Sequence, residues 1–127
     1  LLHFAACIGD PEIINILAKS KRMKLAKLDG DTGVNAFWFA AFYGRGEACA
    51  ILAELGIDIL VQHKETRSNA LHVAIMRKHY KLAIMLIQSK FPLNEVKKGG
   101  ITALHLACVD HDAIGVANYL VKKGADI

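Results

Sequence analysis

Apolar and polar positions along the chain recur with a long period. A five-residue pattern of a large apolar residue, usually a histidine, an apolar residue and small residues appears four times: Leu2-His3-Phe4-Ala5-Ala6, Phe37-Trp38-Phe39-Ala40-Ala41, Leu71-His72-Val73-Ala74-Ile75 and Leu104-His105-Leu106-Ala107-Cys108. Their first positions lie 35, 34 and 33 residues apart. Each copy precedes a polar turn, of which Gly9-Asp10-Pro11-Glu12 and Gly44-Arg45-Gly46-Glu47 are the clearest. A second apolar stretch then follows at residues 13–18, 48–53, 82–87 and 116–121. Each period is read as helix, turn, helix and connector, and a period of this length belongs to a stacked solenoid.

Local chemistry places the boundaries. Asp10-Pro11-Glu12 combines an N-cap, a proline at the first helical position and an acidic first turn, which together start a helix. Asn35, Asn69 and Thr102 each stand two residues before a motif, where a short polar side chain can cap the first helix.

The chain resembles the ankyrin repeat over essentially its whole length. That family runs Gly-x-Thr-Pro-Leu-His-x-Ala-Ala, then a turn, a second helix and Gly-Ala-Asp-Val-Asn. Here Gly100-Ile101-Thr102-Ala103-Leu104-His105-Leu106-Ala107 and Gly124-Ala125-Asp126-Ile127 are close matches. The Thr-Pro pair is replaced by Asn35-Ala36, Asn69-Ala70 and Thr102-Ala103, and Trp38 stands where the motif has His. The resemblance implies an all-α solenoid of helix-turn-helix units joined by β-hairpin-like connectors. Four repeats are expected, over residues 1–29 (truncated at its start), 30–62, 63–95 and 96–127, within a longer chain. It further implies that His3, His72 and His105 tie loops to helices.

Composition agrees with a stacked array. The chain is 54% hydrophobic, with a mean hydropathy of +0.30, as expected when helices bury faces against neighbours on both sides. A membrane span needs roughly 18 consecutive apolar residues, whereas the richest stretch, residues 36–43, ends at Gly44-Arg45. A soluble chain without membrane insertion is expected, and no signal or transit segment is visible. Cys49 and Cys108 are read as small buried hydrophobes and Cys7 as the more exposed thiol. Three cysteines without paired spacing favour reduced thiols, hence an intracellular, cytoplasmic setting.

Candidate chemistry is sparse. Asp110-His111-Asp112 is read as an inter-helix turn lengthened by one residue, with Asp112 as helix cap; metal binding is the alternative, but no further ligand recurs with it. The first period gains residues in the basic run 19–27, read as a solvated connector, with an anionic surface as the alternative ligand. Net charge +4 and pI ≈ 9.0 leave nucleic acid as an unlikely partner, since the cations are dispersed and no aromatic stacking platform matches them. Gly30, Gly33, Gly99 and Gly100 are scattered in hairpins and form no nucleotide-binding loop. Ser20, Ser68 and Ser89 lack a nucleophile elbow. No enzyme, cofactor, metal or small-molecule substrate is implied.

What the resemblance implies instead is a protein-interaction module working through a concave groove. Its variable binding positions carry over to Cys7 and Ile8, Phe42 and Tyr43, Met76 and Arg77, and Val109 and Asp110 on the first helices. At the hairpin tips they fall on Asp31, Thr32 and Val34, on Glu65, Thr66 and Ser68, and on Lys98, Gly99 and Ile101. Phe42, Tyr43, Met76 and Arg77 are the expected anchors, because exposed aromatic, Met and Arg residues inside a polar rim compose a binding hot spot. The competing reading has Phe42 and Tyr43 tucked against a neighbouring hairpin. A second function class is a structural segment packed within a larger protein or assembly. Asn94, at the family's connector Asn, is a candidate hydroxylation site.

Overall fold

A computed structural model describes residues 2–18 and 28–125. The basic run therefore lies outside the described residues. Eight short α-helices follow one another: α1 (Leu2–Ile8), α2 (Pro11–Ala18), α3 (Ala36–Phe42), α4 (Gly46–Glu54), α5 (Ala70–Met76), α6 (Tyr80–Gln88), α7 (Ala103–Cys108) and α8 (Ile114–Lys122). None exceeds 9 residues, too short to persist alone in water. Packing supplies what propensity does not.

The helices pair within each period and stack between periods. First helices pack in the order α1, α3, α5, α7, and second helices pack α2 on α4 and α6 on α8. The alanines of the motif make the first stack possible: Ala5, Ala6, Ala40, Ala41, Ala74 and Ala107 are all buried, so adjacent backbones approach closely. Larger residues fill the space between layers, with Phe37, Leu52, Leu71, Ile75 and Leu120 fully enclosed. Each such side chain contributes about 1.5–3 kcal/mol by leaving water.

The caps form where the sequence places them. Asp10 Oδ1 accepts from the Glu12 N–H at 3.0 Å, and Asn35 Oδ1 accepts from the Trp38 N–H at 3.2 Å. Asn69 and His72 make a reciprocal box: Asn69 Oδ1 takes the His72 N–H at 2.9 Å, and His72 Nδ1 takes the Asn69 N–H at 3.1 Å. Thr102 and His105 repeat it. The remaining ring nitrogen of His72, Nε2, donates to the Glu95 carbonyl at 3.0 Å, so this histidine clasps the following connector as expected of a scaffold residue. His3 packs its ring against Phe39, with centroids 5.3 Å apart.

Trp38 does the same work with a longer reach. Its Nε1–H donates to the Ser68 carbonyl at 2.8 Å, and its ring stacks on Phe42 and leans on His63. Successive connectors are hairpin-like and joined at their tips: the Lys64 N–H donates to the Thr32 carbonyl and the Lys98 N–H to the Thr66 carbonyl, both at 2.8 Å. A single antiparallel bridge, Lys97 to Ile101, is the only β-pairing among the described residues. Gly33, Gly99 and Gly100 take positive φ at these turns, whereas Gly30 does not.

Three expectations need correction. Asp110, not Asp112, is the cap of the last inter-helix turn: its Oδ1 accepts the Asp112 N–H at 3.0 Å and opens a 3-10 turn over His111–Ala113 that leads into α8. The extra residue in this turn is absorbed by the 3-10 winding, which moves the cap two positions earlier. Cys108 is exposed and Cys7 half-buried, the reverse of the expected order. Cys108 ends α7, and no further first helix stacks on it among the described residues. Cys49 is buried as expected.

Candidate functional site

The ends of the first helices line up as one row. Ile8, Tyr43, Met76 and Val109 are 50%, 46%, 49% and 84% exposed, one residue from each repeat. Each sits at or just beyond the C-terminus of α1, α3, α5 or α7, where the helix has already buried its inward face. Counted from the motif's first residue, Ile8 and Tyr43 hold the seventh position and Met76 and Val109 the sixth, so large apolar groups stay in water at neighbouring positions of four consecutive repeats.

Phe42 occupies an intermediate position and is the hub of this row. Its ring stacks on Trp38 at 5.5 Å and meets Tyr43 edge-on at 5.0 Å, and the Arg77 guanidinium lies 4.6 Å from its centroid. The expected division between a groove aromatic and a core aromatic falls between the two neighbours: Phe42 is half-buried and held, while Tyr43 is exposed. Arg77 is exposed as well and spans from the third repeat to the second.

At the other end of the row, Asp110 is only partly exposed and already engaged. It accepts from the Tyr80 hydroxyl and the Asp112 N–H, which hold its carboxyl below the usual range. The same bond, with partial burial and the nearby carboxylates of Asp110 and Asp112, pushes the Tyr80 phenol up to about 12.

The tips divide into available and occupied positions. Asp31, Glu65, Thr66 and Lys98 are exposed. Thr32 is half-buried, with its hydroxyl donating to Asp29 Oδ2 at 2.6 Å. Val34 and Ser68 are enclosed, so these two carried-over positions are not on the surface. Val34 closes the base of its hairpin on the core, and Ser68 sits beneath the Trp38 indole. Cys7 and Ile101 are half-buried, and Asn94 is exposed in the bend after α6.

Two residues that the motif spacing did not single out shape the edge below the row. Arg45 and His79 each stand just before a second helix and reach back one repeat over a glycine. The Arg45 side chain crosses Gly9 and its Nε–H donates to the Cys7 carbonyl at 2.9 Å; the His79 ring crosses Gly44 and its Nε2–H donates to the Phe42 carbonyl at 3.0 Å. Both glycines have positive φ, +78° and +72°. The signal was present as a glycine recurring in the turn after the first helix of the first two repeats, but only contact geometry shows why a side chain there would collide.

The described residues contain no group of three or more His, Cys, Asp or Glu side chains able to hold a metal ion. Nor is any described helix long and apolar enough to cross a membrane.

Comparison with known proteins agrees with this geometry. Residues 57–127 match the family described as ankyrin repeats (3 copies). The chain is 27% identical over 128 aligned residues to the nuclear factor NF-kappa-B p105 subunit of chicken, and equally to that of mouse. In both alignments 99% of this chain is covered, and it spans 13% of the relative's length.

Proposed function

Since the chain belongs to the ankyrin-repeat family, whose members are protein-protein interaction modules, we propose that it binds a protein partner through the row of first-helix ends and the adjoining hairpin tips. The observation that carries this reading is that Ile8, Tyr43, Met76 and Val109 are exposed at the ends of the first helices of four repeats, at the sixth or seventh motif position. Tyr43 and Met76 are the anchors, with Arg77 held ready over Phe42. Asp31, Thr32, Glu65, Thr66 and Lys98 form the rim along the tips, and Asp110 closes the far end. Binding energy concentrates in such aromatic, Met and Arg positions within a polar surround.

The module is non-enzymatic on this reading. The two relatives are named as subunits, that is, components of protein assemblies, and both are far longer than this chain. We place the array as four repeats within a longer, intracellular protein; the unpaired state of Cys7, Cys49 and Cys108 supports that compartment.

A second reading, a segment packed inside a larger assembly, is favoured by a different surface. Ile16 and Ile114, on the second helices α2 and α8, are 68% and 59% exposed. Capture from a cell extract on immobilised wild type, on the Tyr43→Ala/Arg77→Ala variant and on an Ile16→Ser/Ile114→Ser variant separates the two. Partners lost on the first variant alone support the groove; identical capture by wild type and the Tyr43/Arg77 variant, with both folded by circular dichroism, sinks it.

A further inference from the structure

Beside Tyr43 and Met76 the apolar row is bordered by three cations, with the carboxylate of Asp110 toward its far end. At the turn that follows α5 lies a shallow cavity of about 400 Å³, lined by Gly44, Lys78, His79, Tyr80, Lys81 and Leu82. It is continuous with the row, because Gly44 follows Tyr43 in the chain and the His79 ring at its wall donates to the Phe42 carbonyl. Arg77, Lys78 and Lys81 are all exposed here, with the Arg77 guanidinium over the Phe42 ring and the Lys78 charge within reach of Asp110. Asp110 accepts from the Tyr80 hydroxyl and the Asp112 N–H and stays ionised, so it offsets part of the Lys78 charge and leaves Arg77 and Lys81 as the main attraction for an incoming carboxylate. Exposed cations beside exposed apolar groups attract carboxylates and repel a basic chain.

We propose that this edge docks an acidic, apolar segment of a partner protein, with its apolar side chains on Tyr43 and Met76 and its carboxylates at Arg77, Lys78 and Lys81. The inference rests on the groove reading above and adds the chemistry of the partner. A polynucleotide offers the same negative charge but needs successive aromatic faces on which to stack its bases. Here the Phe42 ring is already engaged by Trp38, Tyr43 and Arg77, leaving Tyr43 as the exposed aromatic of the row.

The test uses two fluorescein-labelled peptides with the same Leu and Phe residues at helical spacing, one carrying Glu and the other Lys at the intervening positions, and a labelled single-stranded oligonucleotide. The Glu peptide is expected to bind about 10-fold or more tightly than the Lys peptide, with the preference shrinking as salt rises. Lys81→Glu is expected to weaken the Glu peptide several-fold and strengthen the Lys peptide, and Lys78→Glu to do the same. Lys81→Glu places a carboxylate in the first turn of α6, where it favours the helix, so that variant keeps its fold. Equal binding of the two peptides, no binding of the Glu peptide at about 1 mM, or tighter binding of the oligonucleotide overturns the inference. Tyr43→Ala/Met76→Ala keeps the two levels apart. If it weakens both peptides while the charge reversals change nothing, the groove stands and the acidic partner falls. If the charge reversals act and the alanine pair does not, the row is not the seat and the groove reading itself fails.

Discussion

The imidazole of His79 lies across Gly44, one repeat behind it, and bonds the Phe42 carbonyl at 3.0 Å. A Cβ at Gly44 would stand 2.6 Å from His79 Nδ1, and the backbone there is at φ +72°. Gly44→Ala thus meets both a left-handed backbone and a collision, and we expect it to lower stability by about 2–4 kcal/mol. Gly56, at φ +86° with nothing within 4 Å, supplies the comparison. Gly56→Ala should cost only about 1–2 kcal/mol, the backbone share. Urea unfolding of both variants checks this, and equal losses would show that His79 contributes nothing.

Lys78 occupies the turn position that is glycine in the first two repeats, and it keeps the same left-handed conformation at φ 65°. A side chain in that region is strained by about 1 kcal/mol relative to glycine. Lys78→Gly should accordingly raise the urea midpoint, less any cost from the freer unfolded chain. A lower midpoint would mean that the lysine stem packs usefully at the cavity edge.

The His72 box is the pH-sensitive joint of the scaffold. Nδ1 accepts the Asn69 N–H and Nε2–H donates to the Glu95 carbonyl, so the folded protein holds the neutral ring. Burial lowers its pKa below 6.5, with the Lys97 charge acting in the same sense and the Glu95 bond opposing. The unfolded chain then binds the proton more readily, and stability is complete above pH 6.5 and is lost as pH falls from there through the folded pKa. His72→Gln keeps an acceptor able to complete a capping box but does not titrate. The fall in urea midpoint between pH 7.5 and 5.5 should be smaller in His72→Gln than in the wild type; an unchanged slope would remove His72 from the account.

The three thiols differ in reach. Burial pushes the Cys49 thiol up to about 12 and raises that of the half-buried Cys7, whereas Cys108 is exposed. Because the thiolate is the reactive form, an alkylating reagent at pH 7.5 should modify Cys108 first, Cys7 more slowly and Cys49 only after denaturant is added. Peptide mapping over time reads the order directly.

The repeat was legible in the sequence because a solenoid writes its architecture locally. The first helices α3, α5 and α7 have their caps within three residues, as Asn69 with His72, and their neighbours one period away, so motif, turn and period together determined the fold class and the element order, while the family resemblance implied the scaffold role that His72 fills. Of the positions carried over to the first-helix ends, Ile8, Tyr43, Met76, Arg77 and Val109 are exposed, while Cys7, Phe42 and Asp110 are partly buried. What the sequence left open was decided between repeats. Whether Phe42 belongs to the core or the groove depends on Trp38 and Arg77, one a helical turn away and one a repeat away. Val34 and Ser68 are tip residues by count but enclosed by packing. Cys108 is small and apolar by motif, yet exposed. One wall of the cavity beside the row is the His79 ring, which reaches back across Gly44 into the preceding repeat. Burial and side-chain direction are properties of the interface between units, and a pattern within one unit cannot specify them.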